Sequence, residues 1–298
     1  MTLIKLILND QRRLRIENRG MKIPRFFVIL FSGVAKKKRK GGILLKKRIM
    51  LDAGHYGNRN QSPTVPEYYE SVRMWRLAEL LAQELSVLGF EVLKTRESQA
   101  LDLAVVERGK KAEDCDLFLS LHSNATGNGN TKTDRVSVYA PFDNQNDSHT
   151  LGKILASTVA ACMDIKESRV KTRKSEKGDY EYYGVMRGAR SVGCPLYYII
   201  EHSFHTNERA AKWLLDDKNL KDLAIAEATA IAIYFGLEPF LKGDVNQNGK
   251  LDIYDAILVK RAIMDTIRLS DRQLGLADLN DDGKINTYDY IALKKKLM

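Results

Sequence analysis

Four polar residues stand where apolar runs stop. His55 ends IMLDAGH, His122 ends LFLSLH, Glu201 ends PLYYIIE, and Glu70 opens a long amphipathic segment. The three runs read as short buried strands, and in α/β folds chemistry gathers where such strands end. Two imidazoles and a carboxylate are a common ligand set for a zinc ion that keeps one position open to water. A second carboxylate beside such a site is the usual general base. Taken singly, each residue is weak. A lone His at a strand end is more often hydrogen-bonded or on the surface, and Glu70 alone reads as a helix-start acid favoured by the helix dipole. Glu201 is less bland, because a carboxylate at a buried strand end is costly unless paired or ligating. The four contexts together point to a zinc hydrolase.

These residues need elements to hold them. Residues 44–53 read as a first strand. Residues 67–88 read as a helix, with Val72, Trp75, Ala78, Leu81, Leu85 and Leu88 at helical steps and Gly89 closing it. A strand at 90–95, a helix at 101–113 and a strand at 115–122 follow, then a Gly/Asn-rich loop at 124–130. Next come a strand at 135–140, a helix at 148–163, a polar exposed excursion at 166–182, the strand YYIIEH, and helices at 207–216 and 218–235. Alternating strands and helices predict an α/β three-layer sandwich, with a mixed, largely parallel sheet between helices.

The chain has 298 residues and a net charge of +10. The charge is local: residues 1–47 hold 14 Lys/Arg against 2 acids, whereas residues 48–242 hold 25 against 27. The basic balance therefore belongs to the N-terminal tail, and no nucleic-acid partner is expected. Three distant cysteines, Cys115, Cys162 and Cys194, make no metal or disulfide pattern. No apolar run reaches the roughly 18 residues of a membrane span. The run FFVILFSGVA at 26–35 is similar to a short secretory signal if translation begins at Met21, against the alternative of a basic tail or a mis-called start.

After Leu241–Gly243 the composition changes and a motif repeats. DVNQNGKLDIYD begins at Asp244 and DLNDDGKINTYD at Asp278, 34 positions later. Oxygen-bearing side chains fall at loop positions 1, 3, 5, 9 and 12: Asp244, Asn246, Asn248, Asp252 and Asp255, then Asp278, Asn280, Asp282, Asn286 and Asp289. Gly249 and Gly283 allow the sharp turn, and the Lys250 and Lys284 carbonyls take position 7. This is EF-hand ligand logic for two calcium ions, with Asp rather than Glu at position 12.

LDAGHYG, the Glu70 helix leading to LGFEVLKTR, LFLSLHSNA and IIEHSFHTNERAA keep one order and spacing over residues 47–236. They resemble the zinc-dependent N-acetylmuramoyl-L-alanine amidases of the Amidase_3 family. The resemblance implies His55, Glu70 and His122 as zinc ligands and Glu201 as the catalytic carboxylate. Glu67 is a rival ligand whose distance from Gly89 does not fit. The implied substrate is peptidoglycan, cut at the amide between N-acetylmuramic acid and L-alanine. His202 and His205 depart from the smaller or apolar residues common there. His202 and Arg187 are candidate substrate contacts, set against structural hydrogen bonding for His202 and a surface role for Arg187.

The duplicated loops, their spacing and the following Leu258–Lys260–Arg261 and Leu293–Lys294–Lys295 resemble a type I dockerin. Such a module docks to a cohesin on a scaffolding protein, here through Ile253 and Tyr254 in one copy and Thr287 and Tyr288 in the other. The expected organisation is a tail or signal at 1–43, an amidase domain at 44–240 and an all-α dockerin at 243–298, working outside the cell or on its surface. Rival readings are an idle wall-binding module and a zinc peptidase acting on another amide.

Overall fold

The computed structural model describes residues 4–7, 15–18, 46–237, 242–248, 250–280 and 282–298. The signal-like run at 26–35, most of the basic tail and Gly249 lie outside the described residues. Strands β1 (Ile4–Ile7) and β2 (Arg15–Asn18) pair antiparallel in a sheet of their own.

Six strands build the main sheet: β3 (Arg48–Ala53), β4 (Glu91–Lys94), β5 (Leu117–Asn124), β6 (Val136–Tyr139), β7 (Ser168–Lys171) and β8 (Tyr197–Phe204). Their order is β4-β3-β5-β8-β6-β7. The first four run parallel; β6 is antiparallel to β8 and parallel to β7. The sheet is mixed and largely parallel, as the alternating pattern predicts.

Helices cover both faces. Leu51, Leu119, Leu121, Tyr198 and Ile200 point into the larger core, built with α1 (Glu70–Val87), α3 (Ser148–Cys162) and α6 (Asp217–Tyr234). Met50, Phe118, Tyr197 and Ile199, one residue out of step, point to the other face, under α2 (Val105–Lys110) and α4 (Gly184–Ser191). That alternation is the pleat of a strand buried on both sides. Helices α2 and α4 meet backbone to backbone at Gly109 and Gly188, where an added Cβ would lie 2.0 and 2.1 Å from the facing carbonyl oxygens. Helix α5 (Glu208–Leu215) follows β8, its Asn207 side chain accepting the Ala210 N–H as a cap.

The structure corrects two stretches of the sequence reading. Residues 166–182 are not wholly an excursion, because β7 lies within them as an edge strand. Its sequence SRVK is charged and only Val170 packs on the core, which is how edge strands commonly look. The helix read at 101–113 shrinks to α2, since residues 111–114 form turns.

The C-terminal region is helical: α7 (Ile253–Ile263), α8 (Asp271–Ala277) and α9 (Thr287–Leu297). Val245, Ala256, Val259, Ala277 and Leu293 form its small core. Helix α8 lies against the C-terminal end of α1, with Gly275 beside Val87.

Candidate metal centre

His55, Glu70 and His122 come together at the C-terminal ends of β3 and β5 and the N-terminus of α1. One ligating atom from each lies within 4.8 Å of the others. Glu70 is buried between the imidazoles, its Oε1 3.0 Å from His122 Nδ1 and its Oε2 3.3 Å from His55 Nε2. The Ser123 N–H donates to Oε1 at 3.0 Å and the Asn60 amide to Oε2 at 2.7 Å. Burial pushes Glu70 up, but the hydrogen bonds from His122 and His55 outweigh it and hold the carboxyl well below its usual range. Burial also pulls His122 down, and Glu70 reverses this, raising the imidazole to about 9.

Local structure aims each candidate ligand. His55 has a φ of 58°, a left-handed turn that breaks off β3 and swings the ring toward α1. His122 Nε2 lies 3.2 Å from Ser120 Oγ, and that hydroxyl donates to Asp52 Oδ2 at 2.8 Å. Thr95 donates to the other Asp52 oxygen at 2.7 Å. A hydroxyl whose hydrogen is committed to Asp52 accepts from Nε2–H, which leaves Nδ1 to face Glu70. The donor set therefore fits a divalent cation: two imidazoles and an ionised, buried carboxylate converge, with the ring orientation fixed from behind.

Glu201 stands directly across from His122 in the β5–β8 register, so both side chains share a face. The register shifts just beyond this pair, and Ser203 adopts a φ of 63°. Such bulges recur beside sites, where they re-aim side chains. Glu201 Oε2 is enclosed and has no hydrogen-bond partner among the described residues. Burial raises its carboxyl to about 7; His122 works against the rise and Glu70 with it.

The other expected residues fall elsewhere. Glu67 is exposed in a turn before α1 and stands outside the cluster. His202 is fully buried on the opposite face of β8, so it does not meet substrate: its ring nitrogens lie 2.9 Å from the His122 carbonyl oxygen and 3.2 Å from Glu227 Oε1. One residue along a strand reverses the side chain, and Glu201 already takes the site face. Arg187 braces a loop, donating to the carbonyls of Glu181 and Tyr182 at 3.1 and 2.6 Å. It does not join the cluster.

The sequence reading missed Asn60, Tyr68 and Ser123. Tyr68 stacks on His205 with ring centroids 5.9 Å apart and donates to Ser123 Oγ at 2.7 Å. They lie in loops or among small polar residues, without a period to expose them. Asp52 did leave a signal: a carboxylate inside the apolar run IMLDA must be bonded to something.

In the C-terminal loops Asp244, Asp255 and Asp289 are fully buried. Asp255 accepts the N–H groups of Asn246 and Asp252, both at 2.9 Å, and Asp289 accepts those of Leu279 and Asn286 at 2.8 and 2.9 Å. Asn248 and Asp282 each accept the N–H two residues on, from Lys250 and Lys284. Asn246, Asp278 and Asn280 accept further loop amides. Asp252 and Asn286 also cap α7 and α9. Burial raises Asp255, and Asp244 and Asp252 add to the rise. Converging carboxylates that repel one another fit a hard cation with oxygen ligands. Ile253, Tyr254, Thr287 and Tyr288 all face solvent on the first turns of α7 and α9.

Comparisons with known proteins bear on the family and the fold. The family described as N-acetylmuramoyl-L-alanine amidase (Amidase_3) matches residues 49–233, and the type I dockerin domain matches residues 242–298. Among solved structures, the catalytic domain of the amidase CwlV from Bacillus (Paenibacillus) polymyxa var. colistinus is 20% identical, covering 64% of this chain and 99% of that one with a TM-score of 0.54. An N-acetylmuramoyl-L-alanine amidase from Clostridium difficile 630 is 21% identical, covering 64% and 97% with a TM-score of 0.55. The amidase AmiC2 of Nostoc punctiforme is 20% identical, covering 64% and 97% with a TM-score of 0.52. At these identities the likeness speaks for the fold. No curated protein matches the chain. The family match spans more than half of the sequence, so this chain belongs to the N-acetylmuramoyl-L-alanine amidase family, Amidase_3, and carries a type I dockerin domain at its C-terminus.

Proposed function

We propose that this chain hydrolyses the amide between the lactyl group of N-acetylmuramic acid and L-alanine in peptidoglycan, with zinc held by His55, Glu70 and His122. The observation that carries the reading is the convergence of these three residues beside a fourth, Glu201, whose carboxyl sits near neutrality. Zinc bound there supplies Lewis acidity for the scissile carbonyl and makes water more acidic. Glu201 takes a proton from the attacking water as its oxygen bonds to the carbonyl carbon. It then delivers that proton to the alanine nitrogen as the C–N bond breaks, leaving a lactyl carboxylate and a free amine. Burial lifts the Glu201 carboxyl toward the range in which it can both accept and return a proton, and bound zinc would draw it back down. Ser120, Asp52 and Ser123 keep the ligands in place.

The dockerin part reads as two calcium sites and a docking face. Asp244, Asn246, Asn248, Asp252, Asp255 and the Lys250 carbonyl would hold one ion. Asp278, Asn280, Asp282, Asn286, Asp289 and the Lys284 carbonyl would hold the other. Exposed Ile253 and Tyr254, and Thr287 and Tyr288, would meet a cohesin. A wall substrate and a scaffold partner together favour work outside the cell or on its surface. Among the described residues no helix is long and apolar enough to cross a membrane.

Purified protein given peptidoglycan, with and without chelator, tests the reaction. New L-alanine amino termini and free lactyl groups should appear only with zinc. Their absence with zinc present would refute the amidase reading. Calcium-dependent binding to a panel of cohesins tests the second half, and folding with calcium without any binding would refute docking.

A further inference from the structure

The sheet face that carries Glu201 also carries cations. Ser137 stands opposite Glu201 in the β6–β8 register and opposite Arg169 in the β6–β7 register, and Tyr139 stands opposite Lys171. Residues two apart along a strand share a face, so Tyr139, Ser137 and the preceding Arg135 lie on Glu201's side, with Lys171 alongside.

Arg169 already meets Glu167 at 3.1 Å. Arg135 and Lys171 make no ion pair with a carboxylate among the described residues. Each lies over a ring instead: the Arg135 guanidinium 5.1 Å from the Phe204 centroid, and Lys171 Nζ 5.6 Å from that of Tyr139. The Nε of Arg135 is buried without a hydrogen-bond partner among the described residues. Both cations line one polar cleft of about 510 Å³, together with Asn124 and Asn130. Burial and then Arg135 and Arg169 push the Lys171 ammonium below its ordinary value, with Glu201 acting the other way. Glu201 offsets this positive field only at a distance, and no carboxylate among the described residues pairs with either cation. A guanidinium and an ammonium so placed suit a carboxylate.

On the amidase reading, on which this inference rests, the anion must come from the peptide. N-acetyl sugars are uncharged, and the lactyl carboxyl is consumed in the scissile amide. The residue after L-alanine is a γ-linked glutamate, whose α-carboxylate is free in some walls and amidated in others. We propose that Arg135 and Lys171 form a subsite for that free α-carboxylate and make the chain prefer non-amidated stem peptides.

Two muramyl tripeptides test this: N-acetylmuramoyl-L-alanyl-γ-D-glutamyl-L-lysine and its isoglutaminyl counterpart, which differ only in the α-carboxylate. The zinc-loaded full chain should show a KM about tenfold lower for the carboxylate form, the scale of one charge-assisted contact. In Arg135→Gln and Lys171→Gln the ratio of KM values should fall toward one, and Lys171→Arg should restore it. Calorimetric titration with the two free tripeptides, which needs no turnover, should give the same preference and the same loss. Equal KM values and equal peptide binding in the unaltered chain, or a preference that survives both Gln variants, would overturn the subsite. If neither muramyl peptide is cleaved, the amidase reading falls, and the peptide titration still decides the subsite.

Discussion

Gly54 and His122 touch across the β3–β5 pair with no space between them for a side chain. A Cβ at position 54 would lie 2.5 Å from His122 Cε1, 2.6 Å from Nδ1 and 2.8 Å from the Leu121 carbonyl oxygen, which the Gly54 N–H binds at 2.8 Å. The backbone cannot yield without breaking the sheet end, so the ring must move. Gly54→Ala should then weaken zinc about 10- to 100-fold, as lost ligand support commonly does. Zinc titration by calorimetry, alongside unchanged far-UV circular dichroism, checks it; affinity within twofold of the unaltered chain would contradict the packing.

On the zinc reading, the ion must also displace a proton. Glu70 holds His122 protonated up to about pH 9, so below that pH a cation competes with one proton for the imidazole. Apparent zinc affinity should fall about tenfold between pH 8 and 7, with about one proton released per ion, and more steeply below 7, where Glu201 also gives up a proton. Titrations in buffers of different ionisation enthalpy count that proton. A pH-independent affinity would mean that the Glu70–His122 ion pair does not exist in solution.

How much of this site was visible beforehand depends on what fixes each residue. His55, His122 and Glu201 were legible because buried strands announce their ends in hydrophobicity. Glu70 was legible as the start of a periodic helix, and the loops as a repeat. Asn60 and Ser123 were not, since their roles come from where a loop and a bulge bring them, which no period encodes. For His202 the sequence leaves substrate contact and structural hydrogen bonding both open, and its burial against Glu227 and the His122 carbonyl supports the second. Edge strand β7 was misread because its outward residues are charged and it buries only Val170.

His202 now supports a stability expectation in place of a binding one. It is wholly buried, tied to Glu227 and to the His122 carbonyl. His202→Ala should cost about 3 kcal/mol, from a cavity and an abandoned buried carboxylate. Urea unfolding should register the loss while KM for a muramyl peptide stays within twofold. A large KM change with unchanged stability would restore the substrate role.

Glu201→Gln should keep zinc affinity within threefold and lower kcat by at least about a hundredfold, the usual range for a lost general base. The sign of the pH effect follows from the burial that raises the carboxyl to about 7. As a base it works ionised, so kcat/KM should fall as pH drops through the acid limb. Positive charge from bound zinc favours the ionised form and moves that limb below the value of the metal-free protein. Carbon-13 titration of Glu201 without and with zinc should give about 7 and then a lower value; an unshifted, ordinary carboxylate in the metal-free chain would contradict the enclosure.

The dockerin region should depend on its own ions. Its core is small: five fully buried side chains lie between three short helices. Domains of this size seldom fold on apolar burial alone. The buried carboxylates Asp244, Asp255 and Asp289 accept loop amides, Asp244 and Asp252 repel Asp255, and a divalent cation removes the repulsion that burial magnifies. Calcium should therefore add helical signal to the chelated full chain and protect the amides of α7 and α9 from hydrogen exchange. Asp289→Ala should abolish the gain in α9 first, because that side chain both accepts the Leu279 and Asn286 N–H groups and closes the α9 capping box. Protection of α7 and α9 that is the same with chelator as with calcium would show that this region folds without the ions.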